Sequence, residues 1–247
     1  MIFHTAARDC LYLNWALPAA GLPPLAPPLV YDMCDSAEGR SVFVSAALFR
    51  LEGLHLQTVP LLKLSHPQFS LRLCIRDGDG LPAVLLWRVI IPAWAVPGAR
   101  LVARQPASAG RFSYPKDATG ATGELRWEVR RKRSLAFRAE PGVAAASEGP
   151  NLGSWERTVN YFLRRRRGYF YSFGKLRVFE FTPVEVDAVP LRVNVERDGL
   201  LPECLEVQGL ESWPQLHSAW LCPRQSFVFH LGSVPERALG RSVPAPG

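Results

Sequence analysis

A β-rich α+β fold is what this sequence predicts, on three observations. The first is a central hairpin. From Gln68 to Arg76, Phe69, Leu71, Leu73 and Ile75 alternate with Ser70, Arg72, Cys74 and Arg76, the period of a strand with two unlike faces. Asp77-Gly78-Asp79-Gly80 then turns the chain, since these residue types tolerate the positive φ of tight turns. Leu81 to Ile91 is apolar almost throughout, as in a strand covered on both sides. The second observation is that 22 prolines and 19 glycines are spread along 247 residues, which suits many short elements joined by turns. The third is that one segment alone, beginning at Ser154, has a convincing helical pattern.

Taken in order, Cys10 to Trp15 reads as a first strand, ended by the proline-rich step Pro18 to Pro28, an extended connector packed on the outside. Leu29 to Asp32 is a short strand and Asp35 to Gly39 a turn. Ser41 to Arg50 carries the β-branched and aromatic types that suit a pleated surface. Gly53 to Pro67 is looser and leads into the central hairpin. Past it, Pro92 to Ala99 is an apolar bend folded against the core. Arg100 to Arg104, Gly110 to Tyr114, Glu124 to Arg130 and Ser134 to Ala139 are spaced as a meander, with Gly120 to Gly123 as one turn; such meanders close into a barrel or a sandwich.

Pro141 to Gly153 has the composition of an exposed connection. In the helix that follows, Ser154 is the N-cap and Glu156 lies in the first turn. Trp155, Thr158, Val159, Phe162 and Leu163 share one side. Arg164 to Arg167 fall in its last turn, where cations suit the dipole, and Gly168 ends it. Tyr169 to Lys175, Leu176 to Phe181, Val186 to Val195 and Gln225 to Leu231 supply the remaining strands, and Ala238 to Gly247 a frayed tail. One domain over residues 1–240 with a flexible tail over 241–247 follows.

Charge and composition narrow the function. The balance of 29 basic against 22 acidic residues gives +7, part of it in Arg130 to Arg133 and Arg164 to Arg167. Arg164 to Arg167 followed by Tyr169, Phe170 and Tyr171 is a basic and aromatic mixture of the kind that holds single-stranded nucleic acid, although a helix end and a strand explain the same residues. Nucleic acid is therefore a minor alternative. Cys10, Cys34, Cys74, Cys204 and Cys222 form no CxxC pair and no even framework, which fits reduced thiols in the cytoplasm. No signal peptide is apparent at the N-terminus and prolines interrupt each apolar run, so no membrane contact is expected.

The sequence carries few signatures of chemistry. His4, His55, His66, His217 and His230 stand singly, without metal-ligand spacing, and no cofactor fingerprint occurs. Asp77 and Asp79 are read as turn formers, calcium binding being the remote alternative. Arg72 stands out: it sits in mid-strand beside Ser70 and Cys74, in the most apolar part of the chain. Facing a closed interior, its guanidinium needs a carboxylate of the protein or of a ligand; facing outward, it is simply solvated. Trp87 and Tyr114 are candidates to share such a cavity. Of the lysines, Lys63 in Leu61-Leu62-Lys63-Leu64 has the most apolar neighbours and is the one candidate for imine chemistry, an amine snorkelling to water being the alternative.

Several segments together resemble the YqjF-like family of uncharacterised proteins, within the acetoacetate decarboxylase-like superfamily. They are Asn14-Trp15-Ala16-Leu17-Pro18 with the step after it, Val42-Phe43-Val44-Ser45 to Phe49, Pro67 to Arg72, Gly153-Ser154-Trp155-Glu156, and Tyr161-Phe162-Leu163. The resemblance runs from about Asp9 to Leu231. It implies a closed, cone-like antiparallel β barrel with one helix packed against it and an internal cavity. Arg72 matches the arginine typical of the family's central strand. Acetoacetate decarboxylase forms an imine through a lysine just after a proline; the corresponding Pro97-Gly98-Ala99 here has Gly98 in that place, which removes the imine-forming group. The sequence thus predicts a barrel holding a small, mainly apolar ligand with a carboxylate or carbonyl end, with Arg72, Ser70, Cys74, Trp87 and Tyr114 at the site and no cofactor or metal. An enzyme acting on a keto acid on the same scaffold is the alternative.

Overall fold

The computed structural model describes the chain except residues 37–38, 116–123, 143–149, 151, 182–186, 206–212 and 234–247. Lys116, the turn at 120–123, most of the 141–153 connection and the C-terminal tail therefore lie outside the described residues, as does part of the turn at 35–39.

Among the described residues, fourteen strands and three α-helices are formed: β1 (Ile2–Pro18), β2 (Val30–Tyr31), β3 (Met33–Ser36), β4 (Gly39–Leu56), β5 (Val59–Arg76), β6 (Pro82–Ile91), α1 (Val96–Leu101), β7 (Ala107–Ala109), β8 (Arg111–Ser113), β9 (Leu125–Arg130), β10 (Ser134–Pro141), α2 (Trp155–Leu163), β11 (Arg167–Ser172), β12 (Lys175–Phe181), β13 (Val189–Arg197), α3 (Leu200–Leu205) and β14 (Leu216–Ser233). The order β1-β4-β5-β6-β11-β12-β14 closes on itself, because β14 also pairs with β1. From β14 the sheet continues through β13, β10 and β9 to β8. The ring is antiparallel except at one seam, where β11 runs parallel to β6 through Arg167↔Ala83 to Tyr169↔Leu85. A parallel neighbour needs a long crossover, and the chain between β6 and β11 supplies it.

Side-chain alternation gives the ring two working faces. Leu11, Leu13 and Trp15 of β1, Val44, Ala46 and Leu48 of β4, and Phe69, Leu71 and Leu73 of β5 share one core cluster with Trp127, Val129, Leu135 and Phe137 of β9 and β10, and with Leu200, Leu201 and Leu205 of α3. Tyr12, Phe43, Ala47, Cys74 and Trp220 point the other way, where Phe162 of α2 joins them. Position parity in β5 thus decides which residues serve packing and which serve the site.

Several sequence expectations need correction. The segment from Arg100 to Arg104 is not a strand: α1 occupies Val96–Leu101, with Pro97 in its first turn, where a missing N–H costs nothing. Trp94 is exposed, not folded into the core, although its ring meets His66 edge-on. The 53–67 region is a hairpin arm built from the ends of β4 and β5; Gly53 adopts φ +63° at the register shift between Leu51 and Leu54, a conformation that favours glycine. α2 is capped as expected, the Ser154 hydroxyl accepting from the Arg157 N–H at 3.3 Å, but it stops at Leu163.

The arginine run explains that early stop, because its four members do different things. Arg164 and Arg166 are exposed. Arg165 turns inward, is 1% exposed and pairs with Asp32. Its other N–H groups donate to the carbonyls of Tyr161, Ile75 and Ala83. Arg167 opens β11 and reaches Asp77 and Asp79, both at 2.9 Å, and Glu180 at 3.0 Å. Gly168 lies inside β11 and does not end the helix; a Cβ there would come within 2.0 Å of the Phe179 ring. Gly168→Ala is expected to destabilise the fold by roughly 1–3 kcal/mol through overpacking. Urea unfolding measures this, and an unchanged midpoint would contradict a ring seated on the glycine.

Candidate functional site

Inside the ring lies a cavity of about 770 Å³ to which all seven ring strands contribute. Its walls are mainly apolar, with polar groups on β5, single ones on β1 and β14, and more at α2 and the residues after it. Arg72 projects inward from β5. Its guanidinium donates to the Ser45 hydroxyl at 3.3 Å and lies 4.9 Å from the centre of the Tyr12 ring. Among the described residues no carboxylate pairs with it, and its Nε is buried without a partner. The Tyr12 hydroxyl donates to Gln225 Oε1 at 3.1 Å, and Gln225 Nε2 is a second buried donor without an acceptor. Burial raises the Tyr12 phenol well above its ordinary value, with Arg72 pulling it part of the way back, so Tyr12 stays a neutral donor. Gln68 donates to Ser70 at 2.9 Å on the same wall.

Of the residues singled out from the sequence, Arg72 and Ser70 line this cavity together. Cys74 faces the same side but is buried under α2, beside Arg165, Asp32 and Tyr161, and does not line the void. Trp87 does not share it. A register shift at Leu71/Arg72 sets Leu86 opposite Arg72 and turns Trp87 to the far face, where its indole donates to the Cys204 carbonyl at 2.9 Å. Tyr114 sits elsewhere too, under the Arg50 guanidinium at 4.3 Å and beside Phe112 and Trp127. Lys63 is exposed on the hairpin arm rather than held in an apolar pocket. Gly98, on α1, does line the cavity, and open space stands where its side chain would begin.

Residues not anticipated from sequence complete the site. Tyr12, on β1, reaches Arg72 across β4, and Gln225 comes from β14, the strand on the far side of β1. Asn160, Arg164 and Arg166 reach the cavity from α2 and the residues after it, and Asp187 is the one carboxylate among its described lining residues. Phenylalanines line much of one wall, foreshadowed in the sequence by Phe179-Glu180-Phe181 and Phe227-Val228-Phe229, each with period two. Among the described residues no cluster of three His, Cys, Asp or Glu is placed to hold a metal. Among the described residues no helix is long and apolar enough to cross a membrane.

His66, on the cavity wall, and His217 are buried, and burial lowers both imidazoles from their ordinary 6.5. The unfolded chain then binds more protons than the folded one just below that value. Their contribution to stability is complete above about pH 6.5 and is lost as pH falls toward their folded values. Unfolding midpoints should drop between pH 7.5 and 5.5, and less steeply in a His66→Gln, His217→Gln variant; identical slopes would argue against this assignment.

The family model of DUF2071, described as an uncharacterized conserved protein, matches residues 4–217. No curated protein sequence matches the chain. Among solved structures, acetoacetate decarboxylase from Legionella pneumophila aligns at 8% identity over 95% of this chain and 88% of that one, with a TM-score of 0.58. The enduracididine biosynthesis enzyme MppR complexed with pyruvate aligns at 12% identity over 93% and 88%, TM-score 0.55. An acetoacetate decarboxylase-like enzyme from Sphingomonas wittichii aligns at 13% over 92% and 90%, TM-score 0.55. At these identities the likeness is one of fold: the ring with its attached sheet is acetoacetate decarboxylase-like.

Proposed function

We propose that this chain, which belongs to the DUF2071 (YqjF-like) family, binds a small and mainly apolar molecule by its carboxylate or carbonyl end inside the ring. The observation that carries this reading is the pair of buried donors, Arg72 Nε and Gln225 Nε2, that have no acceptor on an otherwise greasy wall. A buried donor left unsatisfied costs about 1–3 kcal/mol. Both belong to side chains that line one cavity, and apolar walls with few directed polar groups are the ordinary form of a small-molecule site. One of the neighbours in fold, MppR, is complexed with pyruvate, a small carboxylate with a carbonyl.

Imine chemistry is left out of the proposal because none of the described lysines lines the cavity and Gly98 stands on its wall. Nucleic acid is left out because Arg165 and Arg167 are already engaged by Asp32, Asp77, Asp79 and Glu180. Calorimetric titration with nonanoate and with nonan-1-ol tests the reading. The two share an apolar tail and differ at the head. Nonanoate is expected to bind at least tenfold more tightly, the worth of one charge-assisted hydrogen bond. Equal affinities, or no binding of either, would overturn it.

A further inference from the structure

The walls of the cavity are not alike. On the hairpin arm it is lined by Leu54, Leu56, Leu62 and Leu64. On the β11, β12 and β14 side it is lined by Phe170, Phe179, Phe181, Phe227 and Phe229, whose rings form one continuous surface. Phe227 and Phe229 stack with centroids 5.6 Å apart, Phe181 meets Phe227 edge-on at 6.2 Å, and Phe179 meets Phe229 edge-on at 6.2 Å. Phe170 lies 6.1 Å from Phe179.

Two features separate this surface from ordinary core. Phe179, Phe181, Phe227 and Phe229 each remain partly exposed although ring neighbours surround them, so they present faces and edges to the void. Gly168 gives the Phe179 ring its seat, since any side chain there would push that ring away.

Strand geometry ties the aromatic wall to the polar anchor. Gln225, Phe227 and Phe229 are alternate residues of β14 and all line the cavity. Alternate residues on a strand are spaced by about 7 Å. The first ring therefore lies one such step from Gln225, whose amide is joined to Arg72 through Tyr12. Phe181 and Phe3 stand directly opposite Phe229 on the two strands that flank β14, which broadens the row sideways.

We propose that the ligand is an aryl carboxylic acid: its carboxylate meets Arg72 and Gln225, and a flat ring system at least two rings wide lies along the phenylalanine wall. This rests on the reading of the cavity as a carboxylate receptor and names the class of molecule it takes. Aromatic rings gain from offset-stacked and edge-to-face contacts beyond the area they bury, and a saturated ring of the same outline does not.

Competition binding with three probes tests the proposal: 2-naphthylacetate, its saturated counterpart decahydro-2-naphthylacetate, and nonanoate. The naphthyl acid is expected to bind about five- to tenfold more tightly than the saturated acid, the range that one or two aromatic contacts supply. A Phe181→Leu, Phe227→Leu variant should bring that ratio close to one, the two acids being compared with each other on the same variant. The comparison of acids on the unaltered chain needs no variant to fold. Nonanoate binding with no preference for the naphthyl acid would overturn this inference and leave the carboxylate receptor standing. Failure of all three acids to bind would overturn both.

Discussion

Replacing Arg165 by methionine is expected to cost the fold about 3–5 kcal/mol, the usual penalty when one partner of a buried ion pair is removed and the other stays charged. The stranded partner is Asp32, itself buried, which among the described residues would keep Arg76 at 2.8 Å and the Tyr161 hydroxyl at 3.0 Å. The carbonyls of Ile75 and Ala83, paired on the two limbs of the central hairpin beside its turn, would lose this donor as well. Arg165→Lys should recover little of this, because one ammonium cannot reproduce a planar fork that addresses an acid and three carbonyls at once. Adding Asp32→Asn to Arg165→Met removes the uncompensated charge and should regain a large part of the loss. Denaturant midpoints of the two single variants and the double variant decide it, and additive losses would contradict direct coupling of the pair. The same substitutions should loosen α2, whose Phe162 and Asn160 line the cavity, so weakened ligand binding is expected to accompany the loss of stability.

That buried arginine also marks where the sequence ceases to be legible. Four consecutive arginines after an amphipathic helix look like a solvated helix end, and nothing local distinguishes the second from its neighbours. What distinguishes Arg165 is Asp32, 133 residues away in the chain. The central hairpin was legible for the opposite reason. Its alternation, its Asp-Gly turn and its apolar second limb are all local, and the structure shows Asp77 Oδ1 accepting from the N–H groups of Asp79 and Leu81 as turn chemistry requires. Ser70 and Arg72 followed from the same alternation, since parity along one strand fixes which side chains share a face. Parity does not carry across a register shift, and the shift at Leu71/Arg72 is what turned Trp87 away from the face expected of it. Tyr114 failed for a different reason: it follows β8 in the outer sheet, and only the path of that sheet decides what its ring meets. The phenylalanine wall is intermediate. Each Phe-x-Phe pair is visible as a strand face, but the pairing of Phe181 with Phe229 comes only from closing the ring.

Arg72→Met separates binding from folding as sharply as Arg165→Met joins them. Loss of a hydrogen bond to a charged group costs about 1.5–3 kcal/mol, so nonanoate should bind roughly 10- to 150-fold more weakly to the variant. Stability should hold or rise, because Arg72 has no carboxylate partner among the described residues to strand, and methionine fills an apolar wall without a charge to desolvate. Arg72→Lys keeps the charge but gives up the forked geometry, and its affinity should fall between those of the other two. Nonan-1-ol supplies the internal control: its binding depends on the walls and should change by less than about threefold in either variant. The decisive quantity is thus the ratio of acid to alcohol affinity, which cancels any general loosening of the cavity. If Arg72→Met leaves that ratio where it was, the guanidinium is not what holds the head of the ligand, and the anchor must be sought at Arg164 and Arg166, which also line the cavity.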